Sequence, residues 1–189
     1  MKKREQDNIY LTLVNKNHPM DFALLEKTVL KEYSDTPGCT CMVEEKTLEN
    51  YRQLKEYVRQ YGVTMGISSG CRSFEDQATL YAEHLKKHDN DEEETSRYMA
   101  LPGESEHHTG LAIDIVIDHD KKKDDLMYMA RAYTIIHTAC PYFGFIVRYP
   151  QNKYDVTGYA YEPWHLRYVG KQAAMVISRH KIVLEEYWL

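Results

Sequence analysis

Residues 105–115, SEHHTGLAIDI, bring two histidines, a glycine and an aspartate to the mouth of a strongly β-prone run that extends to residue 118. A buried strand begins here, led in by groups that are costly to bury without partners. His107 falls in the loop before the strand and Asp114 on the strand itself. Gly110 and Ala112 lack bulk, so the backbone can pass close to an ion or a substrate. These residues alone leave two readings open: a metal site, or a polar loop entering a buried strand.

The choice depends on a third ligand and a base elsewhere in the chain. Zinc in a hydrolytic site takes three protein ligands and keeps a fourth position for water. A nearby carboxylate must then take the proton of that water. Glu162-Pro163-Trp164-His165 offers both a carboxylate and an imidazole. Their spacing of three would put them on opposite faces of a regular strand. Pro163 cannot donate a ladder hydrogen bond and favours an edge or a bulge, a break that would bring both side chains to one cleft. His18, His84, His88, His119, His137 and His180 read as surface or satisfied core residues, and His108 as a supporting or surface one.

The rest of the chain predicts an α+β domain with a small antiparallel sheet flanked by helices. NIYLTLV reads as a short strand and NKNHPMD as a turn. Apolar residues at Leu48, Tyr51, Leu54 and Tyr57/Val58 predict a helix to Gln60, and VTMGIS a buried strand. Ser73 is an N-cap with Asp76 three residues on, opening a helix that would turn Leu80, Tyr81 and Leu85 inward and end near His88. DNDEEETS reads as a solvated loop and HDKKKDD as a polar turn. A helix is expected over 126–138, strands in GFIVRY and YEPWHLRYV, and closing helical segments after them. No repeat is visible, and the 189 residues suit a single domain.

Composition sets limits. A net charge of -5 gives no footprint for nucleic acid. The basic start MKKR leads into no apolar run of signal-peptide length, and no segment approaches the ~18–20 apolar residues of a membrane span. The expectation is a soluble, cytoplasmic chain. Cys39, Cys41, Cys71 and Cys140 lack a paired CxxC pattern and read as free thiols of a reducing compartment. Sixteen tyrosines against four phenylalanines suit a groove for polar ligands.

Four ordered motifs carry a resemblance. PGESEHHTGLAIDI resembles the SxHxxGxAxD signature of zinc D-alanyl-D-alanine peptidases, and YEPWHLRYVG their ExWH signature. SSGCRSFEDQ is similar to their SGYRSxxxQ stretch, and YFGFIVRYP to YGFILRYP. The nearest type is the VanY/VanXY group of vancomycin-resistance carboxypeptidases and dipeptidases, whose wider fold group includes the hedgehog domain. The resemblance implies one zinc ion held by His107, Asp114 and His165, with Glu162 as general base. It implies Arg72 for the oxyanion or a substrate carboxylate, Ser105 and Gln77 in the substrate pocket, and Trp164 packed behind the site. The implied substrate is D-Ala-D-Ala, free or at the end of a peptidoglycan stem pentapeptide, and the implied role is glycopeptide resistance. An L,D-carboxypeptidase would share the zinc set; a non-catalytic cell-wall peptide-binding module would lack Glu162 or Arg72. Cys71 departs from the family tyrosine and puts the pocket beside Arg72 in question, including approach of its thiol to zinc. Arg148 reads as a paired structural charge rather than a substrate contact.

Overall fold

The computed structural model describes residues 8–117 and 126–187. The turn expected at HDKKKDD, with His119, lies outside the described residues. Strands β1 (Leu30–Thr36) and β2 (Cys39–Glu44) form a hairpin, followed by α1 (Glu45–Arg59), β3 (Met65–Ser69), α2 (Phe74–Lys87) and the short α3 (Glu92–Ser96). Next come β4 (Ala112–Ile117), α4 (Leu126–Ala139), β5 (Phe145–Tyr149), α5 (Tyr154–Thr157), β6 (Glu162–Tyr168), α6 (Lys171–His180) and α7 (Leu184–Tyr187). The main sheet has the order β3-β4-β6-β5, antiparallel throughout. The fold is α+β, as the sequence predicts.

Period-two alternation separates the core from the site. Ile113, Ile115 and Ile117 of β4 are buried with Leu48, Tyr51, Leu54 and Val58 of α1 and with Ala132 and Ile136 of α4. Asp114, between them, belongs to the opposite face. Leu166 and Tyr168 of β6 join the same core, while His165 and Arg167 alternate with them. A second cluster packs Ala173, Ala174 and Ile177 of α6 on Ile146 and Val169.

Two irregularities shape the rim of the sheet. Val147 pairs with Leu166 and Tyr149 with Glu162, so the register shifts between these two pairs. The extra length sits on β6 at Pro163, whose carbonyl accepts a 2.9 Å hydrogen bond from His137 Nε2. This is the break expected from Pro163, placed in an interior strand. A second register shift lies between Ile67 and Ser69 of β3, beside Asp114.

Several local expectations fail. Residues 9–11 form a 3-10 turn rather than a strand, its N-cap supplied by the Asn8 side chain. The acidic stretch at 92–96 is helical, capped by Asp91, because three acidic residues in the first turn suit a helix N-terminus. On α2 the Ser73/Asp76 capping box is present, but the buried residue is Gln77, with Leu80, Tyr81 and Leu85 half-buried. All four cysteines are free. No helix among the described residues is long and apolar enough to cross a membrane.

Candidate active site

Ser105 caps the 3-10 turn Glu106–Thr109, accepting from the His107 N–H at 3.3 Å. Gly110 closes that turn at φ +71°, where a Cβ would lie 2.6 Å from Leu30 Cδ2. The glycine therefore fits both the left-handed backbone and the close approach of β1. The turn presents His107 to β4, where Asp114 pairs with His165 of β6. At Gly70, after β3, a Cβ would collide with the Met42 carbonyl oxygen. Its own carbonyl accepts from His107 Nδ1 at 2.7 Å, which fixes the tautomer and leaves Nε2 with a free lone pair.

His107, Asp114 and His165 offer ligand atoms that all lie within 4.8 Å of one another. His107 Nε2 is 3.2 Å from Asp114 Oδ2, and His165 Nδ1 is 3.1 Å from Asp114 Oδ1. Asp114 Oδ1 is buried yet has no aligned hydrogen bond, and His165 Nε2 is likewise unpartnered. Groups this close and this poorly aligned converge on a common point rather than on each other. Two imidazoles and a carboxylate form a donor set suited to zinc.

Glu162 Oε2 lies 3.6 Å from His165 Nδ1. Burial pushes its carboxyl up to about 7, with Asp114 adding to the rise and His165 and Arg72 opposing it. Burial alone would also raise Asp114, but His107 and His165 outweigh it and hold this carboxyl far below its usual range. His165 is desolvated too, yet Asp114, Glu106 and Glu162 raise its pKa to about 9. Burial lowers that of His107 and keeps it neutral, the form that binds metal.

Arg72 reaches this cluster through Nη2, 3.5 Å from Asp114 Oδ2 and 3.3 Å from Ser69 Oγ. Gln77 accepts from Arg72 Nη1 at 2.7 Å and donates to the Ala100 carbonyl at 2.7 Å. Both ends of this buried amide are thus engaged, and it orients Arg72. Ser105, Gln77, Arg72, Glu162 and the His–Asp–His set line one cleft of about 410 Å³. That size suits a small peptide.

Trp164 is 40% exposed and lines this cleft, so the expectation of packing behind the site is wrong. The β6 irregularity places Trp164 at the cleft together with Glu162 and His165. Cys71 lines a separate pocket with Cys39 and Cys41, and its Sγ lies 3.9 Å from the His108 carbonyl, so its thiol does not approach the donor set. His108 is a buried support, with Nδ1 donating to the Arg72 carbonyl and Nε2 accepting from Gly103 N–H. Arg148 is paired as expected, with Glu106 and Glu185.

Sequence reasoning missed Glu106 and Tyr149, whereas His137 is the satisfied core histidine that was expected. Tyr149 packs its ring on His165 at 4.9 Å. One signal for Glu106 existed: Arg148 interrupts FIVRY, a strand otherwise apolar or aromatic, and a buried arginine needs a buried acid.

The VanY model, described as D-alanyl-D-alanine carboxypeptidase, matches residues 40–171. This chain belongs to the VanY family. The putative carboxypeptidase YodJ of Bacillus subtilis (strain 168) is 33% identical over 94% of this chain and 66% of its own length. The bifunctional D-Ala-D-Ala dipeptidase and D-Ala-D-Ala carboxypeptidase VanXYC of Enterococcus gallinarum is 35% identical over 94% of this chain and 92% of its own. Thus the VanY-family chain spans about two thirds of one relative and nearly all of the other. A crystal structure of a mutant of the vancomycin-resistance D,D-pentapeptidase VanY, in complex with Zn(II), superposes with a TM-score of 0.82. The two are 29% identical, over 96% of this chain and 99% of that one. The LD-carboxypeptidase LdcB superposes with a TM-score of 0.75 at 28% identity, over 98% of this chain and 87% of that one.

Proposed function

We propose that this VanY-family chain is a zinc D,D-peptidase acting as one catalytic domain. It hydrolyses the amide before a C-terminal D-alanine, in D-Ala-D-Ala or in a peptidoglycan precursor pentapeptide. The observation that carries this reading is the convergence of His107 Nε2, Asp114 and His165 Nδ1 beside the buried Glu162 carboxylate. The relative named as a D-Ala-D-Ala dipeptidase and carboxypeptidase supports the substrate class. The free thiols favour the cytoplasmic side, where removal of D-Ala-D-Ala ends would act on precursors before export and withdraw the target of glycopeptide antibiotics.

His107, Asp114 and His165 would hold the zinc, and the orphaned Asp114 Oδ1 and the free lone pair on His107 Nε2 fit that role. Zinc bound there supplies a Lewis acid that polarises a carbonyl and lowers the pKa of water toward ~7. Glu162 takes the proton of the attacking water and returns it to the departing D-alanine amine. Burial raises the pKa of this carboxyl above its ordinary value, which strengthens it as a proton acceptor, and the positive charge of bound zinc opposes that rise. Arg72, held by Gln77 and Ser69, supplies fixed positive charge for the oxyanion or a substrate carboxylate. Ser105 lines the cleft and sets the turn that carries His107.

Substitution Glu162→Gln tests the assignment. Zinc content should stay stoichiometric while D-alanine release falls by roughly 10²–10⁴-fold, the range for loss of a general base. Unchanged turnover in the zinc-loaded variant would refute Glu162 as base and favour a non-hydrolytic role for it.

A further inference from the structure

Behind the cleft lies a layer of buried charge that the reaction itself does not use. Glu106 is 1% exposed, and its Oε1 accepts from Arg148 Nε and from Arg167 Nη1, both at 2.7 Å. Arg148 is held further by Glu185, at 2.8 and 2.6 Å. Arg167 Nη2 donates to the Tyr10 and Thr12 carbonyls at 3.1 and 2.7 Å. Two arginines thus pin one oxygen of Glu106 from one side. The other oxygen, Oε2, has no hydrogen-bond partner and faces His165 Nε2 at 3.7 Å, and that nitrogen is also buried without a partner.

Two buried polar atoms left unpaired and face to face are costly unless they pair with each other. A relative movement of about 0.5–1 Å brings them within hydrogen-bonding range. The other ring nitrogen, Nδ1, is the one that faces Asp114 and Glu162. An imidazole that holds a metal through one nitrogen commonly donates the other N–H to a carboxylate, which fixes its tautomer and raises its basicity.

We infer that Glu106, clamped by Arg148 and Arg167, is a positioning residue that accepts the Nε2–H of His165 and so keeps Nδ1 free for the metal. The inference rests on the zinc reading above. Glu106 touches neither substrate nor metal; it acts through His165. The arginine pair fixes the position of its carboxylate through two 2.7 Å hydrogen bonds to Oε1, which leaves Oε2 aimed at His165.

The test begins with the intact, zinc-loaded protein labelled with ¹⁵N-histidine. Long-range proton–nitrogen correlation should show His165 as the Nε2–H tautomer, with a slowly exchanging proton on that nitrogen. The Nδ1–H tautomer would overturn the inference, and this measurement needs no variant that might fail to fold. Zinc affinity by chelator competition is the second arm. Glu106→Gln should weaken binding ~10–100-fold. Glu185→Gln, which removes the other partner of Arg148, should lower Tm but leave zinc affinity within about threefold. A folded Glu106→Gln variant with wild-type zinc affinity would overturn the role of Glu106 alone. Wild-type protein that takes up no zinc would overturn it together with the zinc reading.

Discussion

Glu162 is the residue at which stability and chemistry pull apart. Its folded pKa, about 7, lies above its ordinary 4.5. In metal-free protein the protonated form is therefore favoured on folding. That contribution is full below the unfolded value and is lost as pH rises through the folded one. Metal-free Glu162→Gln should accordingly be more stable than wild type by about 1–3 kcal/mol at pH 8 and equal to it near pH 4. Urea titrations at both pH values measure this. A bound dication adds positive charge beside the carboxylate and shifts its pKa down. The acid limb of kcat/KM in zinc-loaded protein should then fall between pH 4.5 and 7, with activity gained as pH rises. At this scale the motif residues were legible because each sits in a short ordered stretch. Glu106 was not, since its partners lie 42 and 61 residues away, a distance no local pattern carries. Trp164 lines the cleft instead of packing behind it because Pro163 signals a break in β6 without fixing which way the next side chain turns.

Among elements, β4 carries the division between core and cleft. Ile113 is fully buried between Ala112 and Asp114, and it faces α1 and α4. Ile113→Ala should cost ~2–5 kcal/mol in urea unfolding, the range for a large-to-small core change. A cost below about 1 kcal/mol would place the core elsewhere. Strongly patterned elements, such as α1, β3, β4 and β6, were legible from period and capping. The hairpin β1–β2 was not, because LKEYSDT is largely polar and its outward residues give no clean alternation. The helix α3 escaped for a related reason: EEETS has no apolar face, and its existence depends on the Asp91 cap.

The whole molecule gathers both ends of the described chain behind the site. Arg167 binds the Tyr10 and Thr12 carbonyls, and Glu185 of α7 binds Arg148 and Asn15. A metal that binds only the folded site stabilises this assembly by mass action, about 2.7 kcal/mol at a free concentration 100 times Kd. Zinc should therefore raise Tm and a chelator should lower it; a Tm indifferent to both would mean that the donor set does not bind. The most direct test of the central claim is D-alanine release by zinc-loaded protein from D-Ala-D-Ala and from a stem pentapeptide, with and without chelator. D-alanine should be released from at least one of these D,D substrates, and the chelator should abolish that release. Release from neither while zinc stays bound, or only from L,D-linked tetrapeptide stems, would contradict the claim.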